Sequence, residues 1–257
     1  GVTESIFLQM GAAVQSPVSD SQQLTRFINS RLNDVVPVLT VHNGKWVVVG
    51  TAFRFEDFYV TPLHVISPFR IGEIYVLVPE DRKPRQVSRV AHATKKDGTI
   101  GYYNDLSLLE LAGSLEDSVP LEIGSPTDIA SEPEGGEFVS LAYPKSTGNI
   151  GRPNTRKDVY SQIDGGDDHL LILPIGGESL GSSGGLVYDW LTGQAVGVSL
   201  CITPQNTVHA LRLDLAEPKL QSLKTKLRNS IPRGLKFVAE GRDGCRPIGG
   251  RGMPGDG

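Results

Sequence analysis

Short apolar runs separated by turn-forming residues dominate this chain. Residues 1–18 show no periodic pattern. From Asp20 onward, Leu24, Phe27, Ile28 and Leu32 recur at helical spacing, with Ser19, Asp20 or Ser21 available as N-cap. This spacing predicts an amphipathic helix over about 20–33. Strand-like runs follow. Residues 35–41 and 46–55 flank His42-Asn43-Gly44-Lys45, and Asn-Gly is a strong hairpin signal because both central residues must take positive φ. Runs at 58–65, 73–78, 86–93 and 106–111 complete a first set. A second set starts near Val119 and continues at 137–142, 157–162, 169–174, 185–189, 194–201 and 207–213. Turn residues punctuate both sets, as in Pro133-Glu134-Gly135-Gly136, Asp164-Gly165-Gly166-Asp167 and Leu191-Thr192-Gly193. Many short strands with turns between them argue for an all-β barrel or sandwich architecture.

After the strands, residues 216–228 place Leu220, Leu223 and Leu227 on one helical face. Pro218 then falls in the first turn, where proline is tolerated. The segment 231–257 is rich in Gly, Pro and Arg, a composition that cannot bury a core and reads as a mobile tail or linker. The expected organisation is an N-terminal segment with a helix (1–34), two strand sets (35–115 and 116–215), a C-terminal helix (216–230) and the tail (231–257).

Composition narrows the function classes. A chain of 257 residues suffices for one large β domain or two small lobes. No run approaches the roughly 18 apolar residues that cross a membrane. A net charge of −4 gives no support to a nucleic-acid or membrane-surface role. Five cations among the glycines of the tail, from Arg233 to Arg251, fit a solvated linker. The start, Gly1-Val2-Thr3-Glu4, has no initiator Met and no basic-then-apolar leader, which fits a processed product without a signal peptide. Cys201 lies in an apolar run and Cys245 in the Gly-rich tail. Two cysteines so placed lead us to expect no disulfide framework and a reducing compartment. No His/Cys pair shows metal-ligand spacing, so neither a metal nor another cofactor is expected.

Candidate chemistry centres on Gly181-Ser182-Ser183-Gly184-Gly185. A reactive serine needs backbone N–H groups aimed at a carbonyl oxygen, and glycines let the chain fold back to present them. Alone, in a chain with 30 glycines, the stretch reads first as a Gly/Ser-rich turn. A serine hydroxyl also needs a base, itself oriented by a carboxylate. Of the five histidines, His42 sits in the hairpin turn, and His92 and His169 have polar or charged neighbours and read as surface positions. His64 follows Phe58-Tyr59-Val60-Thr61-Pro62-Leu63 and would be carried to a strand end. Asp105 opens the apolar run Leu106-Ser107-Leu108-Leu109, either as a turn residue or as the carboxylate of a triad.

Thr61-Pro62-Leu63-His64-Val65, Asp105-Leu106-Ser107-Leu108-Leu109 and Gly181-Ser182-Ser183-Gly184-Gly185 together resemble the three catalytic blocks of chymotrypsin-like serine peptidases, in that family's His…Asp…Ser order. Gly50-Thr51-Ala52-Phe53 and Ala195-Val196-Gly197-Val198-Ser199 resemble flanking strands of the family, and the resemblance spans about 35–229. It implies two six-stranded antiparallel β-barrels between an N-terminal and a C-terminal helix, with the site in the cleft between the barrels. It implies His64 as general base, Asp105 as its orienter and Ser183 as nucleophile, with the N–H groups of Gly181 and Ser183 as oxyanion hole. The implied activity is endopeptidase cleavage of a polypeptide through an acyl-enzyme.

Departures from the family pattern shape the rest. Ser182 replaces the aspartate of the digestive and clotting branch, so activation by N-terminal insertion is not expected. The paired cysteines of the secreted branch are missing. Both point to intracellular, cytoplasmic relatives: viral polyprotein-processing peptidases first, acting on their own polyprotein in cis, and HtrA/Deg-like peptidases second. No PDZ-like module is visible after Asn229, which favours the viral style. The resemblance draws the specificity pocket from 175–180 and 198–201, with 207–210 behind, and so includes Glu178, Leu180, Ser199 and His209. Glu178 either receives a basic side chain or points to solvent; His209 either floors the pocket or is a satisfied strand histidine. The histidine that many viral relatives use for Gln or Glu selection is absent from Gly197-Val198-Ser199-Leu200. A non-catalytic trypsin-like binding or capsid module is the alternative from another class.

Overall fold

The computed structural model describes residues 19–94, 97–126, 136–159, 162–163, 170–174, 183–238 and 245–248. The chain divides into two compact units, residues 1–33 and 34–257. In the first, α1 (Asp20–Arg31) starts on Ser19, whose side chain accepts from the Gln22 backbone N–H while the Gln22 side chain reaches back to the Ser19 N–H. This capping box satisfies donors that a helix start leaves unpaired.

The second unit is built from strands. β1 (Val35–His42), β2 (Lys45–Phe55), β3 (Phe58–Thr61), β4 (Tyr75–Leu77), β5 (Pro84–His92), β6 (Thr99–Gly101) and β7 (Ser107–Leu111) form its first half. Six of these run in the order β1-β4-β5-β7-β3-β2, and β2 pairs back onto β1 to close an antiparallel barrel. The β1–β2 hairpin turns at Asn43 and Gly44, with φ of 50° and 71°, as the Asn-Gly pair requires. Inside lie Val36, Val38, Tyr59, Val76, Val90 and Leu109.

β8 (Glu137–Ala142), β9 (Ser146–Thr147), β10 (Asn154–Val159), β11 (Gln162–Ile163), β12 (Leu170–Pro174), β13 (Leu186–Asp189), β14 (Ala195–Ile202) and β15 (Thr207–Arg212) form the second half. Their order is β10-β8-β13-β14-β15-β12-β11, a curled half-barrel, while β9 crosses to pair with β2. Phe138, Leu171, Val187, Val196 and Val208 fill its core. The C-terminal helix, α3 (Leu213–Leu223), buries Leu213, Ala216, Leu220 and Leu223 and lies against β14, β15 and β7. The expected all-β class, with a helix near each end, is therefore what the chain adopts.

Local differences have identifiable causes. The strand expected over 58–65 ends at Thr61, because Pro62 has no N–H to continue a ladder; His64 instead sits on a single helical turn, α2 (Leu63–Ile66). No strand forms near Val119, which is 92% exposed, and Ile123 makes only an isolated bridge to Ala195. Helix α3 spans Leu213–Leu223, so Pro218 lies inside it rather than in its first turn. The segment 231–257, expected as a tail, carries β16 (Lys236–Val238), parallel to β6, and β17 (Arg246–Pro247), antiparallel to β14. Composition could not report this, because strand pairing needs backbone groups rather than apolar side chains. The same pairing brings Cys245 to Cys201, and the two form a disulfide. The expectation of unconnected thiols is thus overturned, and the inference of a reducing compartment loses its footing. Among the described residues no helix is long and apolar enough to cross a membrane.

Candidate active site

Asp105 is fully buried, and both of its oxygens serve His64: Oδ1 accepts the backbone N–H at 2.9 Å, and Oδ2 faces Nδ1 at 2.5 Å. One carboxylate thus fixes both the main chain and the ring of the same histidine. In a neutral imidazole whose Nδ1 carries the proton, Nε2 is the acceptor nitrogen. The surrounding elements hold this pair in place. Val65 packs so close to β2 that a Cβ on Gly50 would come within 2.3 Å of it, so only glycine lets α2 lie there. On the other flank, Lys219 of α3 donates from Nζ to the carbonyl of Tyr103 at 2.9 Å and to Asn104 Oδ1 at 3.3 Å, tying down the turn before Asp105. Burial holds the Lys219 ammonium below the usual lysine range.

The Ser183 loop is docked onto the same region. Thr51 donates its N–H to the Ser183 carbonyl at 2.9 Å, and the Gly184 N–H reaches the Ser199 carbonyl at 2.8 Å. Gly184 has φ +99°, and a Cβ there would lie 1.9 Å from the Thr51 carbonyl oxygen and 2.9 Å from Pro62 Cδ. Thr51 belongs to β2 and Pro62 immediately precedes α2, so the serine loop lies on the elements that carry His64. A buried polar chain links them further: Thr61 Oγ1 donates to the Thr51 carbonyl at 2.9 Å, and Ser107 Oγ to the Thr61 carbonyl at 2.8 Å. The structure brings the three sequence blocks into one neighbourhood.

The Ser183 hydroxyl itself is engaged. Ser183 is 2% exposed; its Oγ donates to the Leu200 carbonyl at 2.9 Å and accepts the Ile248 N–H at 3.1 Å. Neither partner was foreseen from the sequence. Leu200 contributes only a carbonyl, which no side-chain pattern reveals, and Ile248 lies in the tail dismissed on composition. The two cysteines were the available signal, since a disulfide from β14 would bring the tail to the site.

Of the remaining sequence candidates, Ser199 is buried, and its backbone holds Gly184 and Gly185. His209 is buried on β15, opposite Ile172 and Cys201. It lies beside the disulfide: ligand atoms of Cys201, His209 and Cys245 fall within 4.8 Å of one another. With both sulfurs joined, the group offers a metal only the imidazole. Gly181, Glu178 and Leu180 lie outside the described residues.

No protein-family model matches the sequence, nor does any curated protein. Solved structures do match in fold. The inactivated protease paralogue S-I1 of the scabies mite aligns with a TM-score of 0.54 at 15% identity, over 76% of this chain and 96% of that one. The HtrA-type protease AlgW aligns with a TM-score of 0.54 at 15% identity, over 77% of this chain and 62% of that one. The tobacco vein mottling virus protease aligns with a TM-score of 0.50 at 12% identity, over 76% and 81%. The fold is that of the chymotrypsin-like serine proteases. Because an inactivated paralogue shares it, the fold alone does not assign catalysis, and the assignment must come from the residues.

Proposed function

We propose that the protein is a serine endopeptidase. The single observation carrying this reading is the Asp105–His64 pair, in which one buried carboxylate grips both the backbone and the Nδ1 of the histidine, next to a docked serine loop. Such a pair fixes the ring orientation and tautomer that a general base paired with a serine requires. In the reaction, Ser183 Oγ attacks the scissile carbonyl carbon as its proton passes to His64 Nε2. Asp105 stabilises the resulting imidazolium without taking the proton. The negative charge on the carbonyl oxygen is met by the backbone N–H groups of Gly181 and Ser183. Collapse expels the amine, which takes the proton from His64, and leaves an acyl ester on Ser183. Water, deprotonated by His64, then hydrolyses that ester and restores the serine.

A polypeptide is the substrate. Within that reading, processing of a precursor that contains this chain, as in viral polyproteins, draws support from one feature: the chain's own residues 246–248 run alongside β14 and reach the Ser183 hydroxyl. Ser183→Ala tests the activity. Peptide hydrolysis should fall by at least about 10³-fold, with an unchanged circular dichroism spectrum; hydrolysis at the wild-type rate would refute the assignment.

A further inference from the structure

The inference rests on the reading of Ser183 as nucleophile. A hydroxyl has one proton to donate, and in this structure the Ser183 proton goes to the Leu200 carbonyl. A serine so engaged is not delivering its proton to a base. The Ile248 N–H occupies an acceptor lone pair of the same oxygen, and the Ile248 side chain is buried against the half-barrel core. The structure is therefore that of a masked site.

The mask has a definite seat. β13 pairs with β14 only as far as Val198. Beyond that point β17 pairs with β14 at Cys201 and Ile202. Without β17, β14 would present unpaired backbone groups beside Ser183, the kind of edge onto which an extended peptide adds as a further strand. The occupant here is the chain's own segment, and its hold is short. Two residues pair with β14, Arg246 is exposed, and Ile248 provides the apolar anchor. What turns this short pairing into a lasting one is the Cys201–Cys245 disulfide, which fixes the segment to the strand it covers. Even a flexible tether gives its segment an effective concentration in about the millimolar range, and the disulfide shortens the tether to adjacent residues.

We propose that residues 245–248 are a redox-latched plug of the peptide-docking edge, released when the Cys201–Cys245 bond is reduced. A dithiol reductant supplies the two electrons and two protons. The sulfur–sulfur bond breaks, two thiols form, and the donor becomes the disulfide. The freed segment can then leave β14, the Ile248 N–H leaves Ser183, and a substrate strand takes its place.

Two readouts on the full chain test this: amide hydrogen exchange over 200–203 and 245–248, and the rate at which a fluorophosphonate labels Ser183. They are compared in oxidised wild type, wild type with dithiothreitol, Cys245→Ser and Ile248→Asp. Dithiothreitol and Cys245→Ser should raise exchange in both segments and speed labelling at least tenfold, and Ile248→Asp should speed labelling with the disulfide intact. If Cys245→Ser misfolds, reduced wild type with an unchanged circular dichroism spectrum carries the comparison. Unchanged exchange and labelling on reduction would overturn the plug. Increased exchange with no labelling of Ser183 in any form would keep the latch as a docking device but overturn its masking of a nucleophile, and with it the protease reading.

Discussion

At Gly184 the site depends on one missing side chain. The residue combines φ +99° with a position where a Cβ would lie 1.9 Å from the Thr51 carbonyl oxygen. Gly184→Ala should therefore destabilise the protein by more than about 2 kcal/mol, from left-handed backbone strain plus a clash against main chain that cannot rotate away. Urea titration reads this, and a loss under about 0.5 kcal/mol would show that the loop is not docked on Thr51. His64, Asp105 and Ser183 stand out in the sequence because a triad uses those residue types and their order is that of the family the chain resembles. The double grip of Asp105 on His64 does not, since one of its two bonds goes to a backbone N–H. The engagement of the Ser183 hydroxyl by Leu200 and Ile248 was invisible for the same reason: both partners are main-chain atoms.

Among the elements, strands with a clear pattern and a turn at each end are legible in the sequence. β1 and β2 around Asn43-Gly44, β7 after Asp105 and β14 after Gly193 all lie where alternation and turn chemistry place them. Elements shaped by backbone needs are less legible. Pro62 cuts β3 short and leaves His64 on a helical turn, and the three-residue β6 pairs with β16 from the far end of the chain, a contact too distant for local pattern to report. β5 carries a measurable consequence. His92, read from its polar neighbours as a surface position, instead ends this strand with a buried Nδ1 that has no hydrogen-bond partner among the described residues. Burial, with a smaller contribution from the charge of Arg228, holds its imidazole below the usual histidine range. The folded form thus resists a proton that the unfolded chain accepts below about pH 6.5. Stability is full above that pH and falls as pH drops from there toward the folded-state value. Between pH 7.5 and 5.5 the urea midpoint of wild type should fall further than that of His92→Phe; equal falls would contradict a neutral buried imidazole.

For the molecule as a whole, the all-β class follows from the alternation of short apolar runs and turns, and the barrel that closes on itself follows from β2 pairing with both β1 and β3. The long-range assembly of the site is a property of the fold: Thr51 from one half holds Ser183 from the other, α3 braces the turn before Asp105, and the C-terminal segment returns to Ser183. The two cysteines are the one sequence signal of that return, but their positions do not show that they are joined, which follows only once β17 lies along β14. On the proposed function, these parts make Ser183 a nucleophile activated by His64. Mass-spectrometric mapping of a fluorophosphonate adduct on reduced, folded protein tests it most directly. An adduct at Ser183 that is lost in His64→Ala and in heat-unfolded protein is expected; no adduct on folded wild type, or equal labelling of the unfolded chain, would contradict this activation.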